Sequence, residues 1–239
     1  EGHKVVKTAP EAAALALNLG CNLNCGNVYP TLHDAIKQGL TSEKEVDKNL
    51  KELLPSRFKL GLFDPVGAGP FDHIGPEVVR SPAHIALSRE AAMKSMVLLK
   101  NKDNVLPIKK EVSRLFVCGP VAADAQALLA NYYGISDDLR TILEGIVGKV
   151  SPQTTIEYRQ GALLDETNRN PQDWFSSVAA DAEVTIACLG ITQLIEGEEG
   201  ESIASRHLGD RVDIGLPQNQ IDFLKNIRSK AKKLVVVMT

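Results

Sequence analysis

Four glutamates crowd into six residues in the segment Glu196–Glu201, which we call the acidic segment. Carboxylates at this density repel one another, so at least one of them is expected to have a raised pKa and to donate a proton near neutral pH. Gly197 and Gly200, between the glutamates, indicate a loop. The segment therefore predicts a carboxylic acid available for proton transfer. The alternative is a solvated loop without a chemical role, because charge runs are most often exposed.

The pattern around the acidic segment alternates between strands and helices. Strands are predicted at Leu115–Gly119, Thr155–Tyr158, Val184–Gly190 and Lys233–Met238, and helices at about Pro82–Asn101, Ala122–Ala130, Pro171–Ala182 and Pro217–Ser229. This alternation predicts a parallel sheet with helices on both faces. Ligands of such sheets bind beyond the carboxyl ends of the strands. The acidic segment falls there, close behind the third predicted strand.

The first sixty residues are helical in pattern. One helix is predicted to start at Pro10 and to stop at Gly20, and a second spans Pro30–Leu40. Ser42 is a suitable N-cap for a third, with a glutamate three residues later. From Gly61 to Pro82 the composition shifts to glycine, proline and aspartate, which predicts a linker or a long connection along the surface.

Composition narrows the class of protein. The 239 residues are 44% apolar, enough for a buried core. The net charge is -3 and basic residues form no stripe, so no nucleic-acid or membrane-surface partner is indicated. No apolar run approaches the roughly 20 residues of a membrane span. The sequence therefore predicts a globular protein with neither partner.

Four cysteines match no zinc-site or disulfide-scaffold spacing, and no metal site is predicted. Cys118 and Cys188 lie in apolar strand-like runs and are expected to pack as small hydrophobic residues. Cys21 and Cys25 frame a short polar loop, and their pattern fits a local disulfide and two free thiols equally well.

Several motifs of nucleotide and hydrolase chemistry are missing. The first predicted strand ends in Gly119-Pro120, with one glycine where a dinucleotide-binding fold needs three, which disfavours a flavodoxin-like nucleotide binder. The sequence contains no Walker motif, Gly-x-Ser-x-Gly elbow or His-Glu-x-x-His helix. No cofactor is therefore predicted.

The ordered set of segments resembles glycoside hydrolase family 3, in its β-xylosidase and β-glucosidase branch. The resemblance is carried by Ala16–Gly26, Arg57–Asp64, Glu90–Asn101, Leu106-Pro107-Ile108, Asn131–Gly134, Asp210-Arg211 and Leu216–Gln220. It covers nearly the whole chain. It implies a retaining exo-acting β-glycosidase, which removes terminal β-linked xylose or glucose from oligosaccharides through a glycosyl-enzyme intermediate. It also implies a periplasmic or secreted location.

The resemblance implies roles for particular residues. Proteins of this family carry the acid/base glutamate on a loop of an α/β sandwich. That pattern favours Glu198 here, with Glu199 and Glu201 as rivals. Asn24 and Cys25 match a barrel loop near the sugar-binding subsite.

The family's nucleophile is an aspartate in a Ser-Asp motif of a (β/α)8 barrel. No such motif stands at the start of this chain, and Ser136-Asp137 falls in the wrong domain. The resemblance therefore implies an inactive fragment: residues 1–63 as the last helices of the barrel, 64–82 as a linker and 83–239 as a truncated α/β sandwich. Apolar surface left by the truncation, including the edge at Leu234–Val237, predicts self-association. A non-catalytic sugar-binding or structural module is the alternative function.

Overall fold

The computed structural model describes residues 5–129, 136–170, 173–196 and 211–239. The chain folds into two compact units, Glu1–Val97 and Leu98–Thr239.

The first unit is helical. Its helices are α1 (Ala9–Asn18), α2 (Leu32–Lys37), α3 (Glu43–Lys59) and α4 (Pro82–Ser95), with 3-10 turns at Tyr29–Thr31 and Pro76–Val78. The hydroxyl of Ser42 accepts the Glu45 N–H at 3.4 Å and so caps α3 as predicted. The buried Asn49 on α3 donates to the Leu17 carbonyl on α1 at 3.2 Å, which ties these two helices together. The three helices predicted before Gly61 are confirmed.

The second unit is built on a parallel sheet. Its strands and helices, in chain order, are β1 (Arg114–Cys118), α5 (Ile142–Val147), β2 (Thr155–Arg159), α6 (Ser176–Asp181), β3 (Val184–Leu189), α7 (Gln218–Lys230) and β4 (Leu234–Met238), with 3-10 turns at Lys102–Asn104 and Gln126–Leu128. The strand order is β2-β1-β3-β4, and every pair runs parallel. The predicted α/β class and parallel sheet are confirmed.

The two central strands are buried on both faces. Side chains alternate between the faces along β1: Phe116 and Cys118 pack in one apolar cluster with residues of α6 and α7, while Leu115 and Val117 pack in another that α5 covers. This double burial explains why the sequences of β1 and β3 consist almost entirely of apolar residues.

One predicted helix is absent from the residues that the structure describes, and one observed helix was not predicted. The stretch predicted as a helix at Ala122–Ala130 forms no α-helix in its described part and contains only the turn Gln126–Leu128. Ala122 is fully buried, and its carbonyl accepts the Leu143 N–H at 2.9 Å, so tertiary contacts fix this backbone. The helix α5, where Leu143 lies, has no counterpart among the predicted elements.

Candidate active site

The carboxyl ends of the two central strands approach each other closely. Gly119, directly after β1, has a φ of +106° and donates its N–H to the Gln160 carbonyl at 2.9 Å. A side chain at Gly119 would overlap the backbone of Cys188 on β3. At the end of β3, a side chain at Gly190 would likewise overlap Thr239 after β4. Glycine at both positions thus lets the strand ends pack at this edge of the sheet.

The chain enters the acidic segment through a folded turn, which we call the entry stem (Gly190–Glu196). The Thr192 carbonyl accepts the N–H groups of Ile195 at 3.0 Å and Glu196 at 3.1 Å. Ile195 is buried, whereas Glu196 is exposed. The Gln193 amide donates to the Gln126 carbonyl at 2.8 Å, which links the entry stem to the connection after β1. The first glutamate of the segment therefore emerges from an anchored backbone.

The described residues resume after the acidic segment with the exit stem (Arg211–Pro217), which leads into α7. The Arg211 guanidinium donates to the Gly215 carbonyl at 2.6 Å and pairs with Asp213 at 3.2 Å. Asp213 in turn accepts the Gly215 N–H at 3.1 Å. The Arg211 side chain is only 17% exposed. These contacts close a tight turn immediately before α7.

Gln220, in the first turn of α7, is fully buried and reaches the entry stem. Its side-chain oxygen accepts the Gly190 N–H at 3.0 Å, and its side-chain nitrogen donates to the Gly190 carbonyl at 2.8 Å. The same nitrogen donates to the Leu164 carbonyl at 2.6 Å. The neighbouring Asn219 donates to the carbonyls of Leu163 at 2.7 Å and Glu166 at 3.0 Å. The start of α7 thus holds the ends of both β3 and β2.

The three glutamates expected to act as acid, Glu198, Glu199 and Glu201, lie outside the described residues. Asn24 and Cys25 belong to the first unit, where the Asn24 side chain accepts the Gly26 N–H at 3.1 Å and Cys25 is exposed. Their joint role in one site stays a prediction. Sequence reasoning assigned no role to Gln220, although it lies in the quoted motif Leu216–Gln220.

The four cysteines are free thiols. Cys118 and Cys188 are fully buried, as expected for core residues. Burial raises the pKa of Cys118 to about 12, with a further contribution from Cys188, and burial raises the pKa of Cys188 to about 11. Both are therefore neutral and unreactive at physiological pH. Of the two alternatives for Cys21 and Cys25, the structure has the free thiols.

The described residues contain neither a membrane-spanning helix nor a cluster of metal-binding side chains. No helix among them is long and apolar enough to cross a membrane. No group of three or more His, Cys, Asp and Glu side chains in the same part of the chain is arranged to hold a metal ion.

The second unit is an α/β domain built on a parallel sheet, and comparison with known proteins identifies its family. The profile of the glycosyl hydrolase family 3 C-terminal domain matches residues 96–239. The chain belongs to glycosyl hydrolase family 3.

Two similar proteins bear the names of xylosidases. The chain is 37% identical to a probable exo-1,4-beta-xylosidase of Neosartorya fischeri over 99% of its own length. It is 34% identical to a probable beta-D-xylosidase of Arabidopsis thaliana over 97% of its length. In both comparisons the chain spans 29% of the relative.

Solved structures show the same fold. A family 3 exo-beta-xylosidase in complex with a xylobiose aziridine activity-based probe superimposes with a TM-score of 0.77 and 27% identity, over 98% of this chain and 29% of the other. A β-glucosidase from Erythrobacter marinus gives a TM-score of 0.73 and 28% identity, over 99% of this chain and 34% of the other.

Proposed function

We propose that the protein carrying this chain is a retaining exo-acting β-glycosidase, most specifically a β-xylosidase, with β-glucosidase as the second specificity. One observation carries the proposal: in a chain of family 3, the entry stem leads from the carboxyl end of the central strand β3 to Glu196, where the acidic segment begins in the sequence. The names of the relatives support xylose as the sugar.

In the proposed reaction the chain supplies the acid/base group. The carboxylic acid of Glu198 donates its proton to the glycosidic oxygen as the bond from that oxygen to the anomeric carbon breaks. A nucleophilic carboxylate, which we place outside this chain, forms the bond to the anomeric carbon. The Glu198 carboxylate then takes a proton from water, which attacks the same carbon and releases the sugar. Glu199 and Glu201 are the rivals for this role, and Asn24 and Cys25 are proposed sugar contacts.

Glutamate variants of the full-length protein test the assignment. We expect Glu198→Ala to slow hydrolysis of aryl xylosides with poor leaving groups far more than that of activated ones, because a good leaving group departs without a proton. Azide should restore turnover of activated substrates by attacking the glycosyl-enzyme. The exposed Glu196 provides the matched control, and Glu196→Ala should change neither measurement. If no variant at Glu196, Glu198, Glu199 or Glu201 alters leaving-group dependence, the acidic segment has no catalytic role.

The isolated chain is proposed to be inactive, since it would lack the nucleophile. Loss of a covalent-catalysis residue typically lowers the rate by several orders of magnitude. A xylose-configured aziridine reagent should therefore label the full-length protein and leave the isolated chain unlabelled. Absence of labelling and of turnover in the full-length protein as well would favour a non-catalytic sugar-binding module.

We also propose a domain assignment, a cellular location and an assembly state. We assign residues 1–63 to the end of a barrel domain, 64–82 to a linker and 83–239 to the sandwich, and we expect a periplasmic or secreted protein. Met96 to Leu99 each expose at least 67% of their surface, which supports self-association of the isolated chain. A monomer by light scattering over a wide concentration range would contradict self-association.

A further inference from the structure

Gln220 is a buried amide whose three hydrogen bonds all go to backbone groups of other segments. Two of them join it to a single residue, because it accepts the N–H of Gly190 and donates to the carbonyl of Gly190. Such a two-point contact fixes both the position and the orientation of the Gly190 backbone. The third bond, to Leu164, fixes the amide itself against the connection after β2.

This contact joins the entry stem to the helix that follows the exit stem. Gly190 begins the entry stem, and Gln220 lies in the helix turn that directly follows the exit stem. The Gln220 side chain therefore connects the first turn of α7 to the start of the entry stem. We call this arrangement the glutamine clamp, formed by Gln220, Gly190 and Leu164.

We propose that Gln220 is a positioning residue for the acid/base carboxylate of the acidic segment. The inference rests on the proposed function and extends it to a residue that does not touch the sugar. The clamp fixes the Gly190 backbone, where the entry stem leaves the sheet and runs to Glu196, the first glutamate of the acidic segment. Proton transfer requires donor and acceptor within about 2.6–3.2 Å, so a displaced stem slows that step specifically.

The clamp needs an amide. A methionine has similar length but neither donates nor accepts at these positions, and it leaves the N–H and carbonyl of Gly190 and the carbonyl of Leu164 without their partner. A glutamate retains the shape and the acceptor for the Gly190 N–H, but as a carboxylate it donates to neither carbonyl. Gln220→Met and Gln220→Glu therefore break the clamp in two different ways.

The test uses both variants in the full-length protein, with aryl xylosides of graded leaving-group ability. We expect kcat/KM to fall about 10- to 100-fold for poor leaving groups, the scale of a misplacement of about 1 Å, and by less than about threefold for activated ones. Hydrogen exchange of the segment containing the Gly190 amide should be faster in Gln220→Met, because this N–H loses its buried acceptor. If neither variant folds, Gln220→Asn takes their place, because it keeps an amide but is one methylene too short to hold all three partners.

Ile227→Ala is the matched control. Ile227 is fully buried on the same helix and takes no part in the clamp, so its truncation lowers stability without touching the entry stem. It should leave the leaving-group dependence unchanged. An equal change in Ile227→Ala, or faster exchange at Gly190 with an unaltered leaving-group profile, would overturn the inference while the proposed function stands. If the glutamate variants themselves change nothing, the proposed function fails, and the exchange data show separately whether the clamp exists.

Discussion

Replacing Gly119 with alanine tests the close approach of β1 and β3. Gly119 has a φ of +106°, where an L-residue is strained by about 1–2 kcal/mol. The added Cβ would also overlap the carbonyl oxygen of Cys188, and it would lie 2.8 Å from the carbonyl carbon and 2.9 Å from the nitrogen of the same residue. Favourable contacts between such atoms need about 3.5–4.0 Å, so the two strands must separate by roughly 1 Å.

The expected loss follows from these two effects. Separation at the strand ends removes one or two backbone hydrogen bonds, at about 0.5–1.5 kcal/mol each, and loosens the core around Cys118 and Cys188. With the backbone strain, the free energy of unfolding should fall by about 3–5 kcal/mol, which is exceptional for a single methyl group. Gly145 is the control: it lies within α5, and a Cβ there meets nothing within 4 Å. Gly145→Ala should raise stability by about 0.5–1 kcal/mol.

Urea unfolding followed by far-UV circular dichroism measures both changes. With a slope of about 2 kcal/mol per molar urea, Gly119→Ala should lower the midpoint by roughly 2 M at constant slope. Gly145→Ala should raise it slightly. A loss below about 1 kcal/mol for Gly119→Ala would refute the close approach, because strain alone would account for it.

Two further predictions concern ionisable groups. Hydrogen bonds from the backbone and the hydroxyl of Ser113 hold the pKa of Glu183 below its ordinary 4.5, so its stabilising effect is complete above that pH and is lost as the pH falls through the lower folded-state value. Relative to Glu183→Gln, the wild type should lose its advantage in urea midpoint as the pH falls below 4.5; a pH-independent difference would contradict this. A thiol reagent should modify the exposed Cys25 in the folded protein and reach Cys118 and Cys188 only after unfolding, as mass spectrometry of the labelled peptides would show. Labelling of all three at similar rates would contradict the buried core.

The sheet was predictable because burial on both faces leaves a strong trace in the sequence. In β3 only Thr185 interrupts the apolar run, and the helices between the strands imply parallel pairing. The segment after Val121 was not predictable in this way. Its alanines favour a helix by intrinsic propensity, but burial of Ala122 and its hydrogen bond to Leu143 determine the backbone.

The candidate site was predictable only in part. The acidic segment can be recognised from the sequence because its four glutamates are near neighbours along the chain. The role of Gln220 leaves no such mark, since its partners Gly190 and Leu164 are remote in sequence and contribute only backbone atoms. A buried glutamine with backbone partners can be recognised only once the fold has brought these segments together.

The glutamine clamp has a consequence for how this protein can change over evolution. With both ends of the loop fastened at its base, the entropic cost of a longer connection grows slowly, by only about 0.6 kcal/mol for each doubling of length. Insertions and exchanges between Glu196 and Arg211 therefore leave the sheet undisturbed. The sheet and the stretch between the two stems can therefore vary with little effect on each other's stability.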